Sequence, residues 1–467
     1  MIPRIIHNYI RFPTGSFRSY SNEVNPFTRT WRIISSDIPD FFGLRKKPTI
    51  YPTHADIVII GGGFIGSATA HALKARTGVG LSVVVLEKDL TYKEAINNIS
   101  HGTLIRNCSL PENIELSAYG AEFLRNSRTN LGADVDIQYT PSGFLLLASE
   151  RFAEKLEQNA SQQREMGLKN EIISVNEIQE RFPWINTADI KLGSICLENE
   201  GVFNSWSFLK GLVKKSQELG AIYVDAEVTG FEIEQQRDVL MEGIAPGSFE
   251  KINRVLYKTP DNEEHAIKFA ACILAAGSQS GEIAKLAKIG VNDGLLALPL
   301  PIEERKYGIY SIQDEEGKAA LNTPLIMDTS GVWLRRNGLE NNLLCGHVPF
   351  GNENSRKISE EEFYNTIIEP SLNNRFPMTK EKKAKLLTTE IQDYNTYDET
   401  GILGPHPYHN NLYIAAGFGK YGCQHAPGIG RAITELIIDS HYTTIDLTRL
   451  GFDRILIGEP LIEFDVY

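Results

Sequence analysis

Gly61, Gly63 and Gly66 stand at GxGxxG spacing, and Glu87 follows Gly66 by 21 positions. Glycines so placed suit the diphosphate of a dinucleotide. The first permits a tight turn, the second lets the pyrophosphate approach the backbone, and the third lets a helix lie close to the strand before it. Free N–H groups and the positive dipole end of that helix favour phosphate charge, while a carboxylate at Glu87 can accept hydrogen bonds from an adenosine ribose. Two further apolar runs end on glycine, at Gly277 in IKFAACILAAGSQSG and at Gly417 in NLYIAAGFGKYG. A nicotinamide domain needs only the first turn and closes within a contiguous part of the chain. Returns at the middle and near the C-terminus fit FAD, whose extended shape carries its ring far from the first turn.

The elements that position these residues are legible from periodicity. Ile57 to Ile60 suits a strand buried on both faces, and the small residues after Gly63 suit a closely packed helix running to a second strand that ends at Glu87. Helices are expected over 112–128, 151–167, 175–185, 205–220 and 359–376, and strands over 195–203 and 221–228. Asp136 to Ala148 reads as a hairpin around Pro141 and Gly143, and 296–345 as strand-rich. A final strand precedes a helix expected to begin at Pro427-Gly428-Ile429-Gly430, where proline suits the first turn and the dipole can stabilise negative charge on a reduced flavin.

A chain of 467 residues with 42% hydrophobic content can build two or three domains around a sizeable core. Its formal charge of -12, without a basic tract, excludes a nucleic-acid partner, because phosphate neutralisation needs clustered Lys and Arg. Five scattered cysteines without a CxxC pair point to a reducing compartment, with neither a disulfide framework nor a zinc site. No apolar run is long and clean enough to span a bilayer, which leaves a peripheral membrane contact open. The first 22 residues carry Arg4, Arg11 and Arg18, seven apart, with Ile2, Ile5, Ile6 and Ile10 and no acid. That pattern predicts a mitochondrial presequence cleaved after Tyr20. Its removal takes three of 47 basic residues and leaves 44 against 59 acidic ones, a charge of -15. The arm to residue 54 holds four prolines but also Phe27, Trp31, Phe41 and Phe42, so part of it is expected to pack.

DIVIIGGGFIGSATAHAL, CILAAGSQSG and YIAAGFGKYGCQHAPGIGRAITEL together resemble the D-amino acid oxidase family of flavoproteins. SLPENIELS, YNTYDETGILGPHP and TRLGFDRILIGEPL are similar to a mitochondrial subgroup of that family implicated in assembly of respiratory complex I. The resemblance implies an α/β fold, with a Rossmann-like FAD domain of the glutathione-reductase type interleaved with a substrate domain of mixed sheet and helices. The expected division is a presequence at 1–20, an arm at 21–54, and an FAD domain from 55–135, 200–234, 265–295 and 385–445. A substrate domain from 136–199 and 296–384, a surface hairpin at 235–264 and a tail at 446–467 complete it.

It also implies flavin contacts at Gly61, Gly63, Gly66, Glu87, Gly277, Gly417, Gly422, Gly428 and Gly430, and chemistry at a C–H bond beside an amine nitrogen. Arg106 is a candidate grip for a substrate carboxylate, against the alternative of a solvated loop arginine. Relatives carry GFSGHGxK, whose lysine helps bind that carboxylate. Here GFGKYGCQ places Lys420 and Tyr421 at the glycine and histidine and Gln424 at the lysine, and a neutral amide cannot supply the charge. No cysteine lies in 391–394, and His101 stands at a different offset from the attachment histidine of relatives, so FAD is expected to be non-covalent. Cys423 is either redox-active or a small buried hydrophobe. Two readings stay open: an FAD-retaining assembly factor with complex I subunits or intermediates as partners, at the matrix or matrix face, and a dehydrogenase or oxidase of a small secondary amine or amino acid.

Overall fold

The structure is a computed structural model describing residues 51–93, 102–236, 249–291, 296–339, 341–348 and 359–464. The expected presequence, nearly all of the arm and His101 lie outside the described residues.

Four β-branched residues form β1 (Ile57–Ile60), wholly buried. The chain turns at Gly61 into α1 (Phe64–Thr77) and returns on β2 (Val83–Glu87). There follow α2 (Pro111–Arg125), started by a proline, then β3 (Phe144–Ala148), β4 (Glu171–Ser174) and β5 (Leu192–Cys196). After α3 (Ser205–Glu218) and β6 (Ile222–Asp225) come β7 (Glu227–Gln236), β8 (Phe249–Lys258), β9 (Glu264–Lys268) and β10 (Ala271–Leu274). The middle of the chain gives β11 (Ile302–Gln313), β12 (Leu325–Met327), β13 (Val332–Arg336) and β14 (Asn342–His347). Last come β15 (Lys385–Asn395), β16 (Ile402–Pro405), β17 (Leu412–Ala416) and α4 (Gly422–Ile438).

Two large sheets organise the unit from Pro52 onward. The first has the order β16-β17-β10-β1-β2-β6, parallel except at β16. Its centre is set by Ile57↔Val83 on one side and Ile57↔Ala271 on the other, which brings the ends at Gly61, Gly277 and Gly417 to one edge of adjacent strands. The second has the order β15-β11-β14-β13-β12-β3-β5-β4 and is mixed, with β12 and β3 parallel. Each sheet has its own apolar core. Ile59, Leu73, Val85, Ile273 and Ile429 lie in one, Leu145, Ile326, Leu334 and Phe376 in the other.

Several expectations need correction. The hairpin over 136–148 reduces to β3, because Thr140 bridges Val202 instead of folding back across Pro141. The strand over 195–203 breaks after Cys196, where Asn199 takes φ +64, and Gly201–Val202 pairs with Thr103–Leu104. The insertion is a three-stranded antiparallel sheet, β9-β8-β7, rather than a hairpin, with 237–248 outside the described residues. Residues 385–395, placed by sequence in the FAD domain, form the edge of the eight-stranded sheet, paired with β11 from Ile302↔Asn395 to Ser311↔Lys385. The last helix starts at Gly422, so Pro427 is internal and leaves the Cys423 carbonyl without its helical donor.

Candidate functional site

The turn from β1 to α1 divides three tasks among three glycines. A Cβ on Gly61 would collide with the carbonyl of Ala275, the residue after β10, and one on Gly66 would collide with the Gly61 carbonyl. A Cβ on Gly63 would meet nothing within 4 Å. Gly63 caps α1 without a side-chain hydrogen bond, and no acid stands in the first turn. The open cradle at Gly63 and the unshared N–H groups behind it therefore fit a diphosphate. Gly277, φ +55, likewise faces open space. Glu87 accepts from Gly62 N at 2.6 Å and Asp89 N at 3.1 Å, so it holds the turn while each oxygen keeps a lone pair for a ribose hydroxyl. Burial raises its pKa.

At the other end the Asp393 carboxylate accepts from the backbone N–H groups of Gly417 at 2.6 Å, Phe418 at 3.3 Å and Gly419 at 3.0 Å. Desolvation outweighs those donors and pushes its pKa up to about 6. Gly417 lies against Ile302 and Asn395, and Gly422 opens α4 with only Phe418 near it. Gly428 and Gly430, expected as flavin contacts, also have a packing task. A Cβ on Gly430 would stand 2.5 Å from the Ala68 carbonyl carbon of α1, and one on Gly428 2.7 Å from Leu116 of α2, so both belong to helix crossings.

The catalytic candidates separate. Gln424 donates to Ile105 O at 2.7 Å and Ser117 Oγ at 2.9 Å and accepts from Ile105 N at 2.9 Å, a clamp between the 102–109 loop and α2. Arg106 is buried rather than solvated. Its Nε has no partner, desolvation lowers its pKa, and it is absent from the cavity described next. Its peptide N–H donates at 2.5 Å to Glu200, a wholly buried acid whose pKa burial pushes up to about 8. Sequence gave no sign of Glu200, since the pairing of Thr103–Leu104 with Gly201–Val202 creates this neighbourhood across 94 positions. Cys423 is a buried thiol whose pKa desolvation pushes well up, which suits the small hydrophobe and not a reactive thiolate.

Lys420 and Tyr421 do share a cavity of about 90 Å³, between the β11 and β15 side of the second sheet and the turn after β17. Tyr307, Trp333, Glu390, Asp393, Glu399 and Phe418 help to line it. Lys420 Nζ lies 5.1 Å from the Tyr421 ring centre, and that ring stacks on His425 at 5.2 Å. His425, also in the lining, was not singled out from sequence. It is fully buried, bonds Ser117 Oγ through Nε2 at 2.8 Å, leaves Nδ1 without a partner, and stays neutral because burial lowers its pKa to about 3.

A bare helix start beneath one strand end, two further glycine ends on the same sheet, and a polar and aromatic cavity beside the last of them are what an FAD-dependent oxidoreductase requires. The chain belongs to the FAD dependent oxidoreductase family, which it matches over residues 56–436. It is 40% identical to FAD-dependent oxidoreductase domain-containing protein 1 homolog of Drosophila melanogaster, over 95% of this chain and 92% of that protein. It is 38% identical to FAD-dependent oxidoreductase domain-containing protein 1 of Mus musculus, over 97% and 98%. Monomeric sarcosine oxidase of a Bacillus species is 22% identical over 88% and 98%. Among solved structures, L-proline dehydrogenase from P. horikoshii shares the fold with a TM-score of 0.69 and 21% identity, covering 88% of this chain and 100% of that one.

Proposed function

We propose that this chain is a mitochondrial FAD-dependent oxidoreductase that acts on the C–H bond beside an amine nitrogen and takes part in assembly of respiratory complex I. The cavity at Lys420, Tyr421 and His425, beside the turn at Gly417, carries the catalytic half. When bound, FAD supplies a hydride acceptor. The protein holds its diphosphate at Gly63 and α1 and orients the amine against Tyr307, Trp333 and Tyr421. Sarcosine oxidase and proline dehydrogenase are named for amine substrates, which supports this half.

The assembly half is supported by the basic, acid-poor first 22 residues, by the subgroup resemblance, and by the use of Gln424 as a clamp where relatives bind a carboxylate. FAD is non-covalent on this reading, and contact with the inner membrane is peripheral. Among the described residues no helix is long and apolar enough to cross a membrane. Anaerobic mixing of the FAD-loaded protein with a panel of amines and amino acids is expected to bleach the flavin. An unchanged spectrum throughout removes the catalytic half. Deleting the gene is expected to lower assembled complex I, and normal levels remove the other.

A further inference from the structure

We propose that Asp393 is a positioning residue for FAD: from the edge of the second sheet its carboxylate seats the turn at 417–419, and the cofactor binds tightly only while that carboxylate is charged. This deepens the reading of the Gly417 turn as a flavin contact and rests on it. Asp393 lies on β15 of the eight-stranded sheet, whereas the turn follows β17 of the other. Three successive N–H groups converge on the acid, those of Gly417 and Phe418 on Oδ2 and that of Gly419 on Oδ1. Such convergence needs backbone that alternates in hand. Gly417 and Gly419 take φ +81 and φ +47, and Phe418 between them takes φ -83. A concavity of this kind is an anion site, and here the chain fills it from its other sheet. The turn leads straight into α4 at Gly422, so the acid fixes the last glycine end and the helix start together.

Among the described residues, every hydrogen bond to this carboxylate comes from backbone N–H. Glu304 stands opposite it in register on β11, bonded by Ser278 Oγ at 3.4 Å and paired with Lys306 at 3.3 Å, and Arg305 beside it covers the Tyr394 ring. Glu390, Glu399, Glu463 and Lys420 face the same cavity. Tyr307, Tyr394 and Tyr421 complete its titratable wall, with His347 and His425, whose imidazoles burial keeps neutral. Desolvation leaves Asp393 to take a proton near pH 6, and the neutral acid then points an O–H at one of three N–H donors. The seat is lost with the charge. Binding of FAD to the seated turn therefore lowers the pKa of Asp393, so affinity is full above pH 6 and falls as pH drops through it.

The test measures FAD affinity of the full chain by calorimetry at pH 8 and pH 5, for the wild type and Asp393→Asn, without substrate. At pH 8 the variant is expected to bind FAD at least about tenfold more weakly, and at pH 5, where the wild type carries the proton, the gap is expected to close to about twofold. The sign identifies the seating, because removing a negative charge near a ligand with a charged diphosphate would by itself tighten binding. The turn already holds the neutral acid below pH 6, so the isosteric amide is expected to fold. A second measurement needs no variant. In FAD-free wild type, hydrogen-exchange protection of the 417–419 amides, corrected for the intrinsic rate, is expected to fall several-fold from pH 7 to pH 5. Equal or tighter FAD binding by the variant at pH 8, a gap that persists at pH 5, or unchanged protection overturns the proposal. None of these readouts uses turnover, so an amine panel that leaves the flavin unbleached removes the catalytic half of the function alone.

Discussion

Gly63 and Gly66 are three residues apart, yet a methyl group at each has opposite consequences. At Gly63, φ -68 with open space beyond, alanine fits the protein and obstructs only the diphosphate. Gly63→Ala is expected to melt near the wild-type temperature without cofactor and to bind FAD at least about tenfold more weakly, near 1.4 kcal/mol. At Gly66 the methyl meets the Gly61 carbonyl, so Gly66→Ala is expected to cost about 1–3 kcal/mol before any cofactor is added. Thermal melts of both apo proteins check the contrast. Glu200 offers a second test, through pH. Its folded pKa of about 8 lies above the ordinary 4.5, so the native state takes up this proton first as pH falls. Its contribution therefore improves stability as pH drops through 8, by up to about 1.4 kcal/mol per unit, and reaches its full value below 4.5. Glu200→Gln keeps an acceptor for Arg106 N–H and removes the charge. Denaturant melts at pH 7 and 9 are expected to show the variant gaining most at pH 9, with a flatter dependence between the two.

At the scale of elements, α4 is placed by glycines that sequence assigned to the cofactor. Gly430 lets α4 press on Ala68 of α1, and Gly120 lets α2 approach the Gln424 carbonyl. Gly430→Ala is expected to push α1 and α4 apart, lower stability by about 1–3 kcal/mol and weaken FAD binding indirectly, because α1 carries the diphosphate cradle. A variant with unchanged melting and selectively lost FAD would return Gly430 to the cofactor. The strand, turn and helix at 57–77 were legible because apolar period, glycine spacing and small residues all point to one local answer. The start of α4 was not, since a proline in HAPGIG resembles a first-turn residue until the five residues before it are seen to be helical. Nor was β15 as an edge of the second sheet, which depends on register with β11 about eighty positions earlier. The cavity wall was half legible. Lys420 and Tyr421 came from a local motif, whereas Glu390, Glu399 and His425 become neighbours only through long-range packing.

Over the whole molecule, the last described residues act as a strap rather than a tail. Arg454 holds Asp398 by Nε at 2.7 Å and Nη2 at 3.0 Å, both residues being buried, and donates to the carbonyls of Leu450, Thr400 and Gly401. Beyond that anchor Leu461 N–H donates to Asp398 at 2.9 Å, and Phe464 N–H to Ser109 Oγ at 2.8 Å, so Glu463 is delivered to the uncapped start of α2. The anchor and the delivered acid can be separated. Arg454→Met leaves a buried carboxylate unpaired and is expected to cost about 3–5 kcal/mol. Ending the chain after Gly458 keeps Arg454 and Asp398 together but removes Leu461, Glu463 and Phe464. It is expected to leave a folded protein with a modestly lower melting temperature and one wall of the cavity open. The flavin of the loaded, truncated protein should then be quenched more readily by iodide, while Glu463→Gln, which keeps the backbone of the strap, should not show this gain. Equal quenching of the truncated and full chains would mean that the strap seals nothing, and Glu463 would then serve only the start of α2.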